Sequence, residues 1–345
     1  MIHFIYLFFL ISTLTIEHYA HSCRKLCRVI IPIVYTLFIG LRHTSIGTDT
    51  LTYYEHYYTY GRWGCYFVEP GFDWINRVMY GMGYNANAFF IVLAAITSLF
   101  LYLSLNKLKE GYTIAAFCMY LLTFSFLING MRQGIACAIF LYSCNFIITR
   151  RPLIYLLLIL LASSFHASAI ILLPLYFLKD YSFPKEVYVI IYVLSFIGVF
   201  TNISSYLPRL ELFGRDYSIH LEENLVVASA SSLGFIIACI LNVVILSLMI
   251  KNNQFKENPL LANFVFIALC LKNIGFNLPI IGRLTIYFTW FIYLMYPKIL
   301  SRKSKPLFGN MDLTRALIFI IVMAIWMNNL TFAGNRQIPY LFYWE

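Results

Sequence analysis

Charge is what this sequence has least of. Charged residues fill 12% of its 345 positions, against about 25% in a soluble domain. Hydrophobic residues fill 61%, more than a water-facing surface can accommodate. A soluble enzyme, a disordered chain, a secreted disulfide scaffold and a nucleic-acid binder are excluded on that ground. Also missing are a Pro/Gly/Ser linker, a low-complexity run and a convincing internal repeat, so nothing marks a domain boundary. The eight cysteines form neither a disulfide framework nor a metal-ligand pattern, since Cys23 and Cys27 have no second pair to complete a site. There is no P-loop, no GxSxG and no DxD pair in the loops. Neither a metal nor a cofactor is expected.

What is present is a succession of long apolar runs, with a mean hydropathy of +0.76. A span of the hydrocarbon core takes roughly 20 apolar residues, fewer where flanking groups snorkel. Twelve segments are expected to span: 2–16, 29–41, 87–105, 112–127, 130–148, 152–163, 167–178, 187–202, 228–250, 260–278, 284–300 and 313–329. The runs do not alternate, which excludes a β-barrel. The expected fold is all-α, a single multi-pass membrane domain over residues 1–345 with about 12 transmembrane helices. The first segment lacks a basic leader region and a small-residue cleavage site, so it is expected to be retained.

The basic residues orient these segments. With Arg24, Lys25 and Arg28 on the cytoplasmic side, every inner loop holds at least two Lys or Arg, as the positive-inside rule requires. Both termini then lie outside, as do long loops at 42–86 and 203–227 and the tail at 330–345. Topology accounts for most of the +10 charge, which therefore does not imply nucleic acid. The outer basic residues are all arginine: Arg42, Arg62, Arg77, Arg132, Arg209, Arg215, Arg283 and Arg336. Two readings stay open, an interfacial preference for arginine or a site for a diphosphate or sugar acid held by guanidinium groups.

Four outer constellations can carry chemistry. The first is Arg42 to Thr50, with Thr48 and Asp49, followed by Tyr53, Tyr54, Tyr57, Tyr58 and Tyr60 and then Glu69-Pro70-Gly71-Phe72. Asp49 suits the cap of a helix from about residue 50, which would place Tyr53 and Tyr57 on one face. This is either a turn with an interfacial aromatic belt or a sugar-stacking surface with Arg42 and Asp49 beside it. The second is Asn129-Gly130-Met131-Arg132-Gln133-Gly134, a helix start that favours an anion. There Gly130 and Gly134 let a neighbouring helix approach. The alternative is Arg132 snorkelling to lipid headgroups. The third is Ser163-Ser164-Phe165-His166-Ala167-Ser168-Ala169. A serine cap there would set His166 in a first helical turn, neutral and able to take a proton; a structurally bonded buried histidine is the plainer reading. The fourth is Gly282-Arg283 with Tyr287, near Lys272 inside a span. In the tail, Arg336 and Tyr340 either close over a site or lie on the membrane surface.

In that order the motifs, from Gly40-Leu41-Arg42 and Gly47-Thr48-Asp49-Thr50 through Met131-Arg132-Gln133 and Phe165-His166-Ala167 to Arg283 with Tyr287, resemble the EpsG-like branch of the bacterial O-antigen polymerases, the Wzy family. The resemblance covers roughly residues 40–290 and, more weakly, Ile338-Pro339-Tyr340. It implies an architecture similar to the O-antigen ligases and C-type glycosyltransferases. It also implies an enzyme of the inner membrane, facing the periplasm, that joins undecaprenyl-diphosphate-linked oligosaccharide repeat units without a metal. Its partners would be those glycolipids, membrane lipids and a chain-length regulator protein. On that reading His166 is the general base and Asp49 the second candidate. Arg132 and Arg283 hold the leaving diphosphate. Arg42, Thr48, Tyr53, Glu69, Gln133, Tyr287, Arg336 and Tyr340 contact substrate. A C-type glycosyltransferase using a prenyl monophosphate sugar, a glycolipid flippase and a membrane acyltransferase are the rivals.

Overall fold

The computed structural model describes residues 1–64, 68–200, 211–212, 215–216, 232–277, 279–300, 306–308, 311–331 and 336–345. The expected outer loop 203–227 lies outside them apart from Glu211–Leu212 and Arg215–Asp216, and so do Cys65 and Arg209. The chain forms two compact units, residues 1–176 with 303–345 and residues 177–302.

The first unit carries α1 (Ile2–Tyr19), α2 (Arg24–Gly40), α3 (Thr50–Trp63), α4 (Pro70–Gly81), α5 (Ala86–Leu105), α6 (Tyr112–Leu122), α7 (Phe124–Asn129), α8 (Met131–Ile148), α9 (Pro152–Ser163) and a helix at Leu313–Thr331. On α2 the buried residues Cys27, Ile31, Tyr35 and Ile39 recur every fourth position, the spacing of one helix face. On that face Tyr35 meets Tyr6, Tyr120 and Phe124, and beside it α2 packs on α5, where the Thr36 hydroxyl donates to Ser98 Oγ at 2.9 Å. Helix α8 lies between α5 and α9. Its residues Ile135 to Phe140 are all 1% exposed or less, so it is enclosed on every side. Three helices among the described residues, α1, α5 and α8, are long and apolar enough to cross a membrane, and six further apolar helices have 10–17 residues. This is the composition of a helical membrane protein.

Two expected spans differ in form. The run 112–127 is broken between α6 and α7 at Thr123, whose hydroxyl bonds back to Met119 O at 2.6 Å while sharing a 2.6 Å hydrogen bond with Tyr35 Oη. Such back-bonding bends a helix. The run 167–178 is a 3-10 helix, Ala167–Leu178, with Pro174 inside it; proline removes an N–H donor there.

Polar clusters sit at both ends of this unit. At one, Glu17 is 2% exposed. It accepts from Arg28 Nε and Nη2 at 2.9 and 2.7 Å and from Thr113 Oγ1 at 2.9 Å, and the Arg28 guanidinium lies 3.9 Å over the Tyr112 ring. At the other, the chain around residues 41–50, 69–72, 128–133, 164–167 and 336–342 comes together.

In the second unit, the helix Pro259–Ile274 packs along Pro279–Leu300 and against Lys185–Ser195. Its core is aromatic: Tyr188 stacks on Phe255 at 3.7 Å, and Phe264 meets Phe291 edge-on at 4.9 Å. Two short antiparallel strand pairs lie among the described residues, Glu211–Leu212 with Arg215–Asp216 in the second unit and Pro306–Phe308 with Met311–Asp312 in the first.

Candidate active site

The loop after α2 is built around Arg42, which is wholly buried. Its Nε donates to Thr50 Oγ1 at 2.9 Å, Nη1 to Ile39 O at 2.6 Å and Nη2 to Ile128 O at 3.0 Å. The guanidinium also lies 4.9 Å from the Phe90 ring centre. Burial pushes it down to about 10, so it stays charged at neutral pH. Arg42 thus holds the loop to α3 and α7. Its donors face its own chain, where contact with substrate was expected of it.

Gly47 turns this loop with φ +87°, where a Cβ would sit 2.5 Å from Asn129 Oδ1; glycine tolerates that backbone. The same Asn129 Oδ1 accepts the Thr48 N–H at 2.7 Å. Asp49 occupies the cap position of α3, as expected. Its side chain makes no cap bond and instead accepts from Thr48 Oγ1 at 3.0 Å. Both residues are exposed. Tyr53 and Tyr57 share the buried face of α3, as the four-residue spacing required.

The tail straps this loop. His43 N–H donates to Leu341 O, Tyr343 N–H to Leu41 O and Gly47 N–H to Arg336 O, each at 2.9 Å. Gln337 is 1% exposed and accepts from Ser125 Oγ at 3.0 Å. Tyr340 is buried and its hydroxyl donates to Phe38 O, so it is a packing residue. Arg336 is exposed with φ +46°.

Three residues from distant stretches then converge. Glu69, just before α4, is 5% exposed. Its Oε2 accepts from Arg132 Nη1 at 2.6 Å. Its Oε1 accepts the Ala167 N–H at 3.4 Å and lies 3.6 Å from His166 Nδ1. Arg132, in the first turn of α8, has the Phe72 ring 5.4 Å and the Tyr53 ring 6.0 Å from its guanidinium carbon. Gln133 beside it is buried. His166 is half-buried immediately before the 3-10 helix. The expected serine caps do not form: Ser163 and Ser164 donate back to Leu160 O and Leu161 O at 2.8 and 2.7 Å. Gly130 and Gly134 are close-packed, but against the side chains of Phe126 and Leu127 from α7.

Gly71 sets the position of Glu69. Its N–H donates to Ser164 O at 2.8 Å, and a Cβ there would lie 2.4 Å from Ser164 Oγ and 2.9 Å from Ser164 O. Gly71→Ala must push the Glu69 loop away from His166. Misplacement on that scale costs about 10–100-fold in rate. A matching loss of activity at an unchanged protein level is the expected result; full activity would dismiss the close approach as functionally idle.

Arg283 and Tyr287 belong to the second unit, on Pro279–Leu300, with Arg283 exposed and Tyr287 buried. Lys272 is half-buried near the end of Pro259–Ile274. The residues of the site described above all belong to the first unit. One residue that the sequence did not single out is His56, half-buried on α3 and stacked on Tyr60 at 4.5 Å. Burial and then the charge of Arg132 hold its imidazole below the usual range. Its place three residues after Tyr53 was the available signal. Among the described residues no group of three or more His, Cys, Asp or Glu is arranged to hold a metal.

No curated protein and no solved structure matches the chain. The model of the EpsG family matches residues 25–342, a stretch that takes in every residue of this site, and the chain belongs to that family.

Proposed function

We propose that this protein polymerises oligosaccharide repeat units carried on undecaprenyl diphosphate, at the outer face of a bacterial inner membrane. Membership of the EpsG family suggests a polysaccharide polymerase of glycosyltransferase-like type, and the apolar helices suit a membrane protein. The observation that carries the reading is the meeting of Glu69, Arg132 and His166 at one end of the first unit. An imidazole is a suitable base for a sugar hydroxyl, and a guanidinium is a suitable ligand for a diphosphate.

In this mechanism His166 takes the proton of the acceptor hydroxyl as its oxygen attacks the anomeric carbon of the donor. The bond from that carbon to the phosphate oxygen breaks, and its electron pair leaves with the prenyl diphosphate, whose charge Arg132 stabilises. Attack opposite the leaving group inverts the anomeric centre. Exposed Asp49 and Thr48 lie at the same end and serve the acceptor. An apolar groove of about 610 Å³, lined by Trp74, Val78, Met79, Ile91 and Ile96 between α4 and α5, suits the prenyl chain.

Deleting the gene in its host tests the reading. A glycan ladder that collapses to one repeat unit on the lipid core is expected. Complete loss of surface glycan would point instead to translocation or to assembly of the first unit. The buried carboxylate of Glu69 at the centre of the site also favours a second reading, transfer from a prenyl monophosphate sugar. Turnover of such a donor by the reconstituted protein would select it.

A further inference from the structure

Two of the neighbours of Glu69, Arg132 and His166, have proposed roles that differ. Arg132 Nη1 donates to its Oε2 at 2.6 Å, a short charge-assisted bond. His166 Nδ1 is 3.6 Å from its Oε1, about half an ångström beyond good hydrogen-bond range. That nitrogen is buried and has no hydrogen-bond partner. The carboxylate itself is 5% exposed, and its Oε1 also accepts the Ala167 N–H at 3.4 Å, so the guanidinium and the imidazole share it with a backbone donor and little interference from water. While the guanidinium holds it, the guanidinium's own charge opposes its field at the imidazole. An anion arriving at Arg132 competes for the same N–H donors and frees that field.

We propose that Glu69 is a positioning residue that couples donor binding to the base: a diphosphate on Arg132 displaces the carboxylate, which turns to His166 Nδ1 and leaves Nε2 to accept the acceptor proton. The inference rests on the reading of Arg132 as diphosphate ligand and His166 as base. No proton is gained or lost in the turn. The Nδ1–H tautomer is fixed by its bond to Oε1, and the proton taken from the acceptor hydroxyl ends on Nε2, as an imidazolium facing a carboxylate. Proton abstraction then comes after donor binding and does not precede it. Among the described residues, the charged and titratable groups around this relay include Glu69 before α4, Arg132 on α8, and Tyr53 and His56 on α3 beside Arg132.

The test uses the full chain in nanodiscs, with inorganic pyrophosphate as the probe. The readout is the pH midpoint of His166 carbethoxylation, measured by mass spectrometry. In the wild type, pyrophosphate should raise the midpoint by about one unit or more, the size expected when an opposite charge comes within hydrogen-bond reach. In Glu69→Gln the midpoint should start lower, and the rise should fall below half the wild-type value, leaving the direct effect of the probe's own charge. Glu69→Asp should recover part of the rise. In Arg132→Gln the midpoint should already be raised and respond to pyrophosphate less than half as much. Monodisperse elution of each variant shows that it has folded. An equal rise in wild type and Glu69→Gln, or pyrophosphate bound to the wild type by calorimetry with no rise, overturns the relay and leaves the diphosphate site standing. Absence of pyrophosphate binding to the wild type overturns both.

Discussion

His166→Ala yields a folded, membrane-inserted protein that makes single repeat units and few long chains. Loss of a positioned base costs about 10²–10⁴-fold, and here little else changes. His166 is half-buried at the end of the first unit, outside the apolar interior formed by α5, α8 and α9. Its truncation therefore opens no core cavity. Its backbone bonds, N–H to Ala162 O at 3.0 Å and C=O from Ala169 N–H at 2.9 Å, do not depend on the side chain. The chain-length ladder of a complemented deletion strain measures the effect, alongside the amount of protein in the membrane. Near-normal chains at a normal protein level would remove His166 from the mechanism and leave Asp49 as the base. Unlike His166, Asp49 has no carboxylate or guanidinium beside it among the described residues; its side chain meets Thr48.

Some of this site was legible in the sequence because it rests on period and polarity. The four-residue spacing of Tyr53 and Tyr57 set the buried face of α3, and the alternation of apolar runs with arginine-bearing loops placed the motifs of the first unit at one end. Other features rest on backbone atoms that no side-chain pattern announces. Ser163 and Ser164 donate back to carbonyls in the last turn of α9, Leu160 O and Leu161 O, so they do not cap the 3-10 helix at Ala167–Leu178. The tail pairs main chain to main chain with residues 41–47. Neither the break at Thr123 nor the 3-10 form of Ala167–Leu178 changes the hydropathy profile. Glu69 was singled out as an acid in an outer loop, yet its partners lie 63 and about 100 residues away, beyond any local periodicity.

Arg42 is the residue whose expected role changes most, and the change can be measured. Arg42→Met should lower the melting temperature and the yield of the protein, with little effect on KM in the fraction that folds. The guanidinium satisfies Ile39 O, Ile128 O and Thr50 Oγ1 inside the protein, and each buried acceptor left unpaired costs about 1–3 kcal/mol. Arg42→Lys should do scarcely better, although it keeps the charge. One ammonium cannot span three acceptors that a planar fork reaches together. A residue that bound the acceptor sugar would behave in the opposite way, with wild-type melting, a raised KM and partial recovery by lysine. Fluorescence-detected thermal melts of both variants in detergent, set beside their kinetics with a lipid-linked substrate, separate the two. The strap adds an internal check. Tyr340→Phe removes the hydroxyl that donates to Phe38 O in the last turn of α2, just before the same loop. Its melting shift should be smaller than that of Arg42→Met and in the same direction, because one hydrogen bond is lost there and four are lost at the guanidinium, to Thr50 Oγ1, Ile39 O, Ile128 O and Met131 Sδ.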